Sequence, residues 1–227
     1  MESSELERLV VTQDGTHTLY NATLNQHYHS LQGSLQESQH IFIELGLKPL
    51  IAAKKEAGDR TPIRVFEMGF GTGLNSLLTW KYADELEQAI DYTGVEAYPV
   101  SATEAKALNY EQIIHFYGLN SLHEVTWSER HDLSDFFTFE KIHSTLESLD
   151  LTGTYDLIYY DAFAPETQPE LWTEEIFKKL ASHLVSKGSL VTYSSKGLVR
   201  RALKAAGFTI EKHPGPGRKR EVVKAIL

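Results

Sequence analysis

The chain has 227 residues, of which 41% are hydrophobic and 23% charged, with a formal net charge of −9; this is the composition of a globular protein with a sizeable core. It contains no cysteine, which excludes disulfides, thiolate metal sites and catalysis by a cysteine nucleophile. No apolar run approaches the ~18 residues of a membrane span, and the acidic N-terminus lacks the layout of a signal peptide, so we expect a cytoplasmic protein with no membrane partner.

Residues 1–60 are predicted to form a small N-terminal extension that packs on the rest of the chain. Hydrophobic and polar residues alternate on both sides of Asp14-Gly15, which favours a β-hairpin. A polar loop follows. A helix is then predicted to begin at Ser34, with Glu37 three residues later as the second half of a capping box.

Residues 61–227 alternate predicted strands and helices, which is typical of a mostly parallel sheet covered by helices on both faces. The predicted strands are 63–66, 91–96, 123–128, 155–161, 188–194, 208–213 and 221–227. The stretch 132–147 is predicted as mixed helix and loop, and the last two strands as an antiparallel hairpin. We therefore predict a Rossmann-like α/β domain with a seven-stranded sheet, in which ligands bind beyond the carboxyl ends of the strands.

A glycine-rich loop, E-M-G-F-G-T-G-L-N at 67–75, follows the first of these strands. It lacks the Lys-Ser or Lys-Thr of a phosphate-binding P-loop, and its third glycine is misplaced for the dinucleotide pattern G-x-G-x-x-G. Alternate glycines still allow close backbone approach to a ligand that has no pyrophosphate. This pattern favours S-adenosylmethionine as cofactor, in a class I methyltransferase fold. The loop residues expected to bind it are Glu67, Gly69, Gly71, Gly73 and Asn75.

Three acids are placed to supply polar contacts to this cofactor. Glu67 is expected to accept from its amino group, directly or through water. Glu96, which lies 23 residues after Gly73, is expected to accept from both ribose hydroxyls. Asp132 follows the third predicted strand, where an acid binds the exocyclic amine of adenine. A solvated strand end for Glu96 and a helix cap for Asp132 are the alternatives.

The stretch Y-Y-D-A-F-A-P at 159–165 lies just past the fourth predicted strand. Asp161 is expected to face the ligand crevice, Phe163 to wall a planar substrate by stacking, and Pro165 to stiffen the turn. A tight turn that Phe163 packs and Asp161 caps is the alternative. This segment alone does not decide between them.

Positive charge is concentrated at the C-terminal end. From Lys187 onward there are ten Lys/Arg and two Asp/Glu, a net of +8, so residues 1–186 carry −17. The basic residues include Arg200-Arg201 and the run G-R-K-R at 217–220. This pattern indicates either solvated charge on a helix and hairpin or a patch that faces a polyanion.

Several motifs together resemble the bacterial tRNA wobble-uridine methyltransferases, that is, the MnmC methyltransferase domain and its stand-alone form MnmD. They are Y-H-S-L-Q-G-S-L-Q-E-S-Q-H-I-F, the glycine loop, Y-D-L-I-Y-Y-D-A-F-A-P-E-T-Q-P-E-L-W, and S-S-K-G-L-V-R-R-A-L-K-A-A-G through G-P-G-R-K-R-E. The resemblance covers roughly residues 20–227. The D-A-F-A-P and G-R-K-R-E runs are far more specific than the glycine loop.

The resemblance implies an activity and a partner. The family uses S-adenosylmethionine to methylate the primary amine of 5-aminomethyl-(2-thio)uridine at the tRNA wobble position, so the implied partner is the tRNA anticodon loop. Bifunctional members add an FAD-dependent oxidase domain that makes this amine. Because the chain ends at Leu227, we expect no fused FAD oxidase domain and an amine that comes from another source.

The resemblance also suggests roles for individual residues. Asp161 is expected to hold the amine and accept or relay its proton, with Phe163 and Trp172 flanking the uracil ring. Tyr28 and Ser30 are expected to close over the methionine end of the cofactor, or else simply to pack the extension on the sheet. The residues expected to hold tRNA phosphates are Lys196, Arg200, Arg201, Arg218, Lys219 and Arg220.

A metal site and two rival functions complete the sequence-based expectations. His27 and His29 share one face of an extended segment, but no cysteine or third ligand accompanies them, so no metal is expected. The nearest rival is a small-molecule amine methyltransferase or aminopropyltransferase of the same fold, although the basic C-terminal part would repel a polyamine. The other is a non-catalytic RNA-binding module, against which the acids Glu67, Glu96 and Asp161 argue.

Overall fold

The computed structural model describes residues 6–217 and 220–227. The predicted phosphate-binding residues Arg218 and Lys219 lie outside the described residues. Within the described ranges, no helix combines the length and the apolar character that crossing a lipid bilayer requires.

Among the described residues, the N-terminal part forms a small three-stranded antiparallel sheet. After a 3-10 turn (Leu6–Arg8), strands β1 (Leu9–Val11) and β2 (His17–Asn21) form the hairpin that the alternation predicts, and β3 (Gln26–His27) pairs with β2. A continuous helical stretch comes next. Its parts are α1 (Ser34–Ser38), a π-helical segment (Gln39–Leu47) and α2 (Lys48–Ala57).

Helix α1 begins where the sequence predicts, but the predicted capping box is wrong. The N-cap residue is Gly33, and no side chain at the cap position makes a capping hydrogen bond. Instead, Oδ2 of Asp14 in the hairpin turn accepts a hydrogen bond from Gln36 N at 3.0 Å. Gly33 packs so closely here that a Cβ would lie 2.6 Å from that oxygen. The hairpin carboxylate therefore takes the place that the sequence assigned to Ser34.

The remaining helices alternate with strands, as predicted. They are α3 (Leu74–Leu86), α4 (Ala102–Ala107), α5 (Tyr110–Ile114), α6 (Leu119–Glu124), a 3-10 turn (Pro169–Trp172), α7 (Glu174–Ser182) and α8 (Gly197–Ala205). The strands are β4 (Ile63–Met68), β5 (Ile90–Glu96), β6 (Arg130–Ser134), β7 (Phe137–His143), β8 (Tyr155–Tyr160), β9 (Leu184–Thr192), β10 (Thr209–Pro214) and β11 (Glu221–Ile226).

In the described part of the chain the main sheet has eight strands, in the order β10-β11-β9-β8-β4-β5-β7-β6. Strands β9, β8, β4, β5 and β7 are parallel, while β6, β11 and β10 are antiparallel to their neighbours. This confirms the predicted Rossmann-like α/β fold and its C-terminal antiparallel hairpin. The carboxyl ends of the parallel strands meet at one edge of the sheet, where this fold binds its ligands.

The strand predicted third in the chain lies elsewhere. Residues 123–128 contain the end of α6 and a turn, whereas the strand is β7, inside the stretch predicted as helix and loop. Phe137, Phe139 and Lys141 are buried and alternate with less buried residues, which is the period-two pattern of a strand. Strand β6 forms a hairpin with β7 and accounts for the strand beyond the seven predicted.

Buried hydrophobic residues lie on both faces of the sheet. On one face, Ile41, Phe42 and Ile43 of the π-helical segment belong to the same cluster as Val65 of β4 and Leu77 of α3. Helices α7 and α8 contribute to the cluster on the other face. Because helices cover both faces, the loops at the carboxyl-terminal edge are left to form the site.

Candidate active site

The glycine loop turns tightly against β5 and the segment after β8. Gly69 N and Phe70 N both donate to Val95 O at 3.0 Å, and Gly73 N donates to Phe70 O at 2.8 Å. Gly69 has φ +93°, and a Cβ there would lie 2.6 Å from Asp161 O. Glycine is therefore required by both conformation and space, and its absence of a side chain brings the ends of β4 and β8 together.

A cavity of about 320 Å³ opens at this edge of the sheet, within the range of small-molecule sites. Its walls come from the N-terminal loop, the glycine loop, the end of β5 and the segment after β8. The residues that line it are Gln26, His27, Tyr28, His29, Ser30, Leu31, Glu37, Met68, Gly69, Phe70, Gly71, Thr72, Asn75, Glu96, Ala97, Tyr98, Asp161, Ala162, Phe163, Ala164, Gln168 and Tyr193.

Glu96 stands in this cavity as a fixed two-oxygen acceptor. It is the last residue of β5 and only 6% exposed. Its Oε2 accepts from Gly71 N and its Oε1 from Tyr98 N, both at 2.8 Å. Burial raises the pKa of Glu96, and the two backbone N–H groups oppose that shift. Each carboxylate oxygen keeps a further lone pair for a ligand donor such as a hydroxyl.

Asp161 and Glu67 are joined through one amide group. Asn75 Nδ2 donates to Asp161 Oδ2 at 2.9 Å and to Glu67 Oε1 at 3.0 Å. Ser76 Oγ donates to Glu67 Oε2 at 2.9 Å. Glu67 has no exposed surface, and burial raises its pKa to about 8, so it is mostly uncharged at neutral pH. The structure thus places Glu67 behind Asn75 and outside the cavity lining, so that the direct contact with the cofactor's amino group, one of the two predicted options, is not formed from this position.

Aromatic residues form the wall next to Asp161. The rings of Tyr28 and Phe163 meet edge to face with centroids 5.2 Å apart. The hydroxyl of Tyr193 donates to Ala162 O at 2.9 Å. Burial, and to a lesser extent the negative charge of Asp161, raises the pKa of Tyr193 well above its usual value. Tyr193 is therefore a neutral hydrogen-bonding group that holds the segment after Asp161.

Some predicted site residues do not reach the cavity. Asp132 lies on the edge strand β6 and accepts from Thr138 Oγ1 at 2.8 Å; the adenine contact assigned to it depended on a third strand at 123–128, which the structure does not have. Trp172 is 2% exposed, and its Nε1 donates to Phe163 O at 2.9 Å. It supports the backbone of Phe163 and is not placed to flank a substrate ring. Pro165 is buried, and it and Gly73 also lie outside the lining.

The lining residues that the sequence did not assign to the site include three polar ones, Glu37, Gln168 and Tyr193. Tyr193 follows β9 directly, so the rule that strand ends form the site would have found it. Glu37 was assigned to a capping box, which hid its position at the cavity. No local pattern marked Gln168.

Basic residues lie along α8 and β10. Arg200, Arg201, Lys204 and Lys212, with Gly197, line a second cavity of about 380 Å³. The other predicted phosphate contacts with described structure are Lys196, which forms an ion pair with Glu166, and Arg220, which is exposed. Helix α8 follows β9, so this basic surface begins at the sheet edge that carries the first cavity.

The two histidines considered as metal ligands, His27 and His29, line the first cavity. Across residues 6–217 and 220–227, no group of three or more His, Cys, Asp or Glu side chains has a metal-binding arrangement.

A model of the S-adenosyl-L-methionine-dependent methyltransferase family matches residues 105–227, more than half of the chain. The chain belongs to this family. This confirms that it is a methyltransferase and that S-adenosylmethionine is its cofactor, as the glycine loop predicts.

Curated relatives confirm the resemblance that the motifs carry. The chain is 34% identical over 213 residues to the bifunctional tRNA 5-methylaminomethyl-2-thiouridine biosynthesis protein MnmC of Leptospira borgpetersenii, covering 86% of this chain and 31% of the relative. It is 32% identical over 214 residues to MnmC of Pseudomonas savastanoi, covering 88% and 32%. The chain thus spans about a third of the length of these curated relatives.

Solved structures show the same fold. MnmC2 from Aquifex aeolicus superposes with a TM-score of 0.73 at 24% identity, over 96% of this chain and 69% of that one. Spermidine synthase from Thermotoga maritima superposes with a TM-score of 0.57 at 13% identity, over 96% and 72%. These likenesses concern the fold, and the activity depends on the site.

The residues around the cavity fit S-adenosylmethionine. The backbone at Gly69 and Gly71 lines the cavity without side chains, and the carboxylate of Glu96 is held open to hydroxyl donors. Tyr28 and Ser30 of the N-terminal loop line the same cavity. Of the residues predicted for the cofactor, the structure brings together these five and Asn75.

Proposed function

We propose that this protein methylates the primary amine of 5-aminomethyl-(2-thio)uridine at the tRNA wobble position, giving 5-methylaminomethyl-(2-thio)uridine. The observation that carries the proposal is the position of Asp161: it lies in the cofactor cavity, directly after β8, beside an aromatic wall. The names of the curated relatives, which concern 5-methylaminomethyl-2-thiouridine biosynthesis in tRNA, support this substrate.

The cofactor, when bound, supplies an electrophilic methyl group on a positively charged sulfur. Transfer of this group to the amine would form a nitrogen–carbon bond, break the carbon–sulfur bond to leave a neutral thioether, and release one proton from the amine. We assign the acceptance or relay of that proton to Asp161. We propose that Phe163 stacks on the uracil ring; the rings of Phe163 and Tyr28 meet edge to face, which supports this wall of the cavity. Positioning of the amine in line with the methyl group is then the main task of the chain's residues.

The proposed cofactor contacts are the backbone at Gly69 and Gly71 and the carboxylate of Glu96 toward the ribose hydroxyls. Tyr28 and Ser30 are proposed to cover the methionine end, because they line the same cavity from the N-terminal loop. Glu67 is proposed to act on the cofactor only indirectly, since Asn75 separates it from the cavity.

A tRNA anticodon loop is the proposed partner, in the cytoplasm. The wobble base would be turned out of its loop into the cavity, as single-stranded RNA bases often are. His40 Nε2, in the π-helical segment, donates to Pro214 O at 2.7 Å, which links the end of β10 to the N-terminal helical stretch. Phosphates are proposed to contact Lys196, Arg200, Arg201 and Arg220, and also Arg218 and Lys219.

The test is substitution of Asp161 by Asn, which keeps size and removes charge. Methylation of tRNA that carries 5-aminomethyl-2-thiouridine should fall by about 100-fold or more, measured as labelled methyl transfer followed by nucleoside analysis. Binding of S-adenosylmethionine, measured by titration, should change little.

The matched control is Asp156→Asn on β8, the strand that leads to Asp161; the Asp156 carboxylate forms an ion pair with Arg64 and does not line the cavity. This variant should methylate tRNA at nearly the wild-type rate. If Asp161→Asn methylates tRNA at the wild-type rate, Asp161 has no role in the reaction. Methylation of a polyamine but not of tRNA by the wild-type protein would favour the small-molecule amine transferase instead.

A further inference from the structure

Asn75 lies on the wall of the cavity, between Asp161 and the buried Glu67. It is the second residue of α3, is 3% exposed, and lines the cavity. Its Nδ2 carries two hydrogens, and both are used: one on Asp161 Oδ2 at 2.9 Å and one on Glu67 Oε1 at 3.0 Å. A single amide nitrogen therefore connects the proposed proton acceptor to a fully buried acid.

The orientation of this amide follows from its partners. With the oxygen and nitrogen exchanged, Oδ1 would face the acceptor Oδ2 of Asp161 and lose that hydrogen bond. In the observed orientation Oδ1 is buried and has no hydrogen-bond partner among the described residues. A buried acceptor without a partner is costly, which indicates that Asn75 is placed for the two acids and not for the stability of α3.

Glu67 accepts a hydrogen bond from Asn75 while it is mostly uncharged, so it does not add a second negative charge beside Asp161. Its second oxygen is held by Ser76 Oγ at 2.9 Å. The ionisable groups that act on it are Asp161 from the segment after β8, Tyr92 from β5 and Tyr159 from β8. Burial, with the negative charge of Asp161 adding to it, keeps Glu67 mostly uncharged at neutral pH. Asn75 can therefore bridge the two acids without two negative charges meeting on one donor.

We propose that Asn75 is a positioning residue for methyl transfer, which fixes the Asp161 carboxylate toward the bound amine by bridging it to the buried carboxyl group of Glu67. The backbone of Asp161 is already held, since Asp161 N donates to Met68 O at 2.9 Å. The hydrogen bond from Asn75 also restricts the side chain of Asp161. This inference rests on the proposed function and adds a residue that acts through Asp161.

The first experiment compares Asn75→Ala with Ser76→Ala. Both variants remove a hydrogen bond to Glu67, but only the first removes the bond to Asp161. With aminomethyl-uridine tRNA as substrate, Asn75→Ala should lower kcat about 10- to 100-fold, the size of effect that misplacement of a reacting group produces. Its KM for tRNA and its Kd for S-adenosylmethionine should stay within about threefold of wild type. Ser76→Ala should lose much less kcat.

Equal losses of kcat in the two variants would overturn the inference, because they would point to Glu67 or to general stability. A large rise in the Kd for S-adenosylmethionine with unchanged kcat would also overturn it. That result would indicate that Asn75 binds the cofactor directly. Thermal melting checks folding. Asn75→Ser is measured in parallel, since its hydroxyl has one hydrogen and can serve only one of the two acids.

The decisive experiment is a double-mutant cycle with Asp161→Asn. If Asn75 acts through Asp161, adding Asn75→Ala to Asp161→Asn should cause less than about a threefold further loss, whereas independent roles would multiply. Multiplying losses would sink the inference while leaving the proposed function intact. Absence of tRNA methylation by the wild-type protein, although it binds S-adenosylmethionine, would instead overturn the proposed function itself.

Discussion

Glu67 shows how burial changes the chemistry of a residue that the sequence presents as a simple acid. In the pattern E-M-G-F-G-T-G it is an acid before a glycine loop, which predicts an acceptor for the cofactor's amino group, directly or through water. In the fold it is fully buried, hydrogen-bonded to Asn75 and Ser76, and mostly uncharged at neutral pH.

Glu67→Gln tests this protonation state through stability. The pKa of Glu67 is about 8 in the fold and 4.5 without burial, so the folded state favours the neutral form. The contribution of neutral Glu67 to the free energy of unfolding is therefore fully present below about pH 4.5 and is lost as the pH rises toward 8. Gln is neutral at every pH. The free energy of unfolding of Glu67→Gln relative to wild type should therefore rise by up to roughly 1.4 kcal/mol per pH unit between these limits, and level off above them.

Chemical denaturation at pH 5, 6, 7 and 8 measures this difference. Glu44→Gln is the control, because Glu44 is exposed and its neighbour Lys48 lowers its pKa, so it does not titrate in this window. A flat difference for Glu67→Gln would show that Glu67 is ionised throughout.

At the scale of elements, helix α1 begins through a contact that is distant in sequence. The carboxylate of Asp14 accepts from Gln36 N, while its other oxygen accepts from Thr12 and Thr16 hydroxyls in the hairpin turn. The hairpin and the helix are thus fixed to each other. The loop between them, which carries Tyr28 and Ser30, is held at both ends.

Asp14→Ala should lower the free energy of unfolding by about 1–2 kcal/mol, the usual cost of losing a helix cap. Ser34→Ala is the matched comparison, because the sequence assigned the cap to Ser34 and the structure shows no capping bond from it. It should be close to neutral. Thermal or urea unfolding of both variants decides the matter. A larger loss of unfolding free energy in Ser34→Ala than in Asp14→Ala would show that Ser34 caps the helix after all.

For the whole molecule, the important quantity is the uneven distribution of charge. Residues 1–186 carry −17 and the remainder +8, and the fold gathers Arg200, Arg201, Lys204 and Lys212 on α8 and β10. The protein can therefore be acidic overall and still present a basic surface on α8 and β10.

Reversing the charge of Arg200 and Arg201 to Glu should weaken tRNA binding and reduce its salt dependence. Each lost phosphate contact lowers the slope of log K against log salt by about 0.7 to 0.9. Arg130→Glu is the control, since Arg130 lies on β6 at the opposite edge of the sheet and pairs with Asp91. Filter binding over a salt series gives both slopes. Unchanged slopes in the Arg200/Arg201 variant would place the tRNA elsewhere.

The sequence alone determined the fold class, the cofactor and the strand-end positions of Glu96 and Asp161, because these follow from local patterns: strand periodicity, a glycine loop and acids at the ends of strands. It misplaced β7, since β6 and β7 pair through a short hairpin inside a mixed sequence, and with that strand it misassigned Asp132.

The tertiary structure decided what depends on contacts between residues far apart in the chain. Asp14 caps α1 across 22 residues, Trp172 is buried beneath Phe163, and Asn75 joins Asp161 to a Glu67 that burial keeps uncharged. Burial and hydrogen-bond partners set these properties, and neither is encoded in the neighbouring residues of the sequence. Packing at the carboxyl-terminal edge of the sheet therefore determines which of the predicted residues reach the cavity.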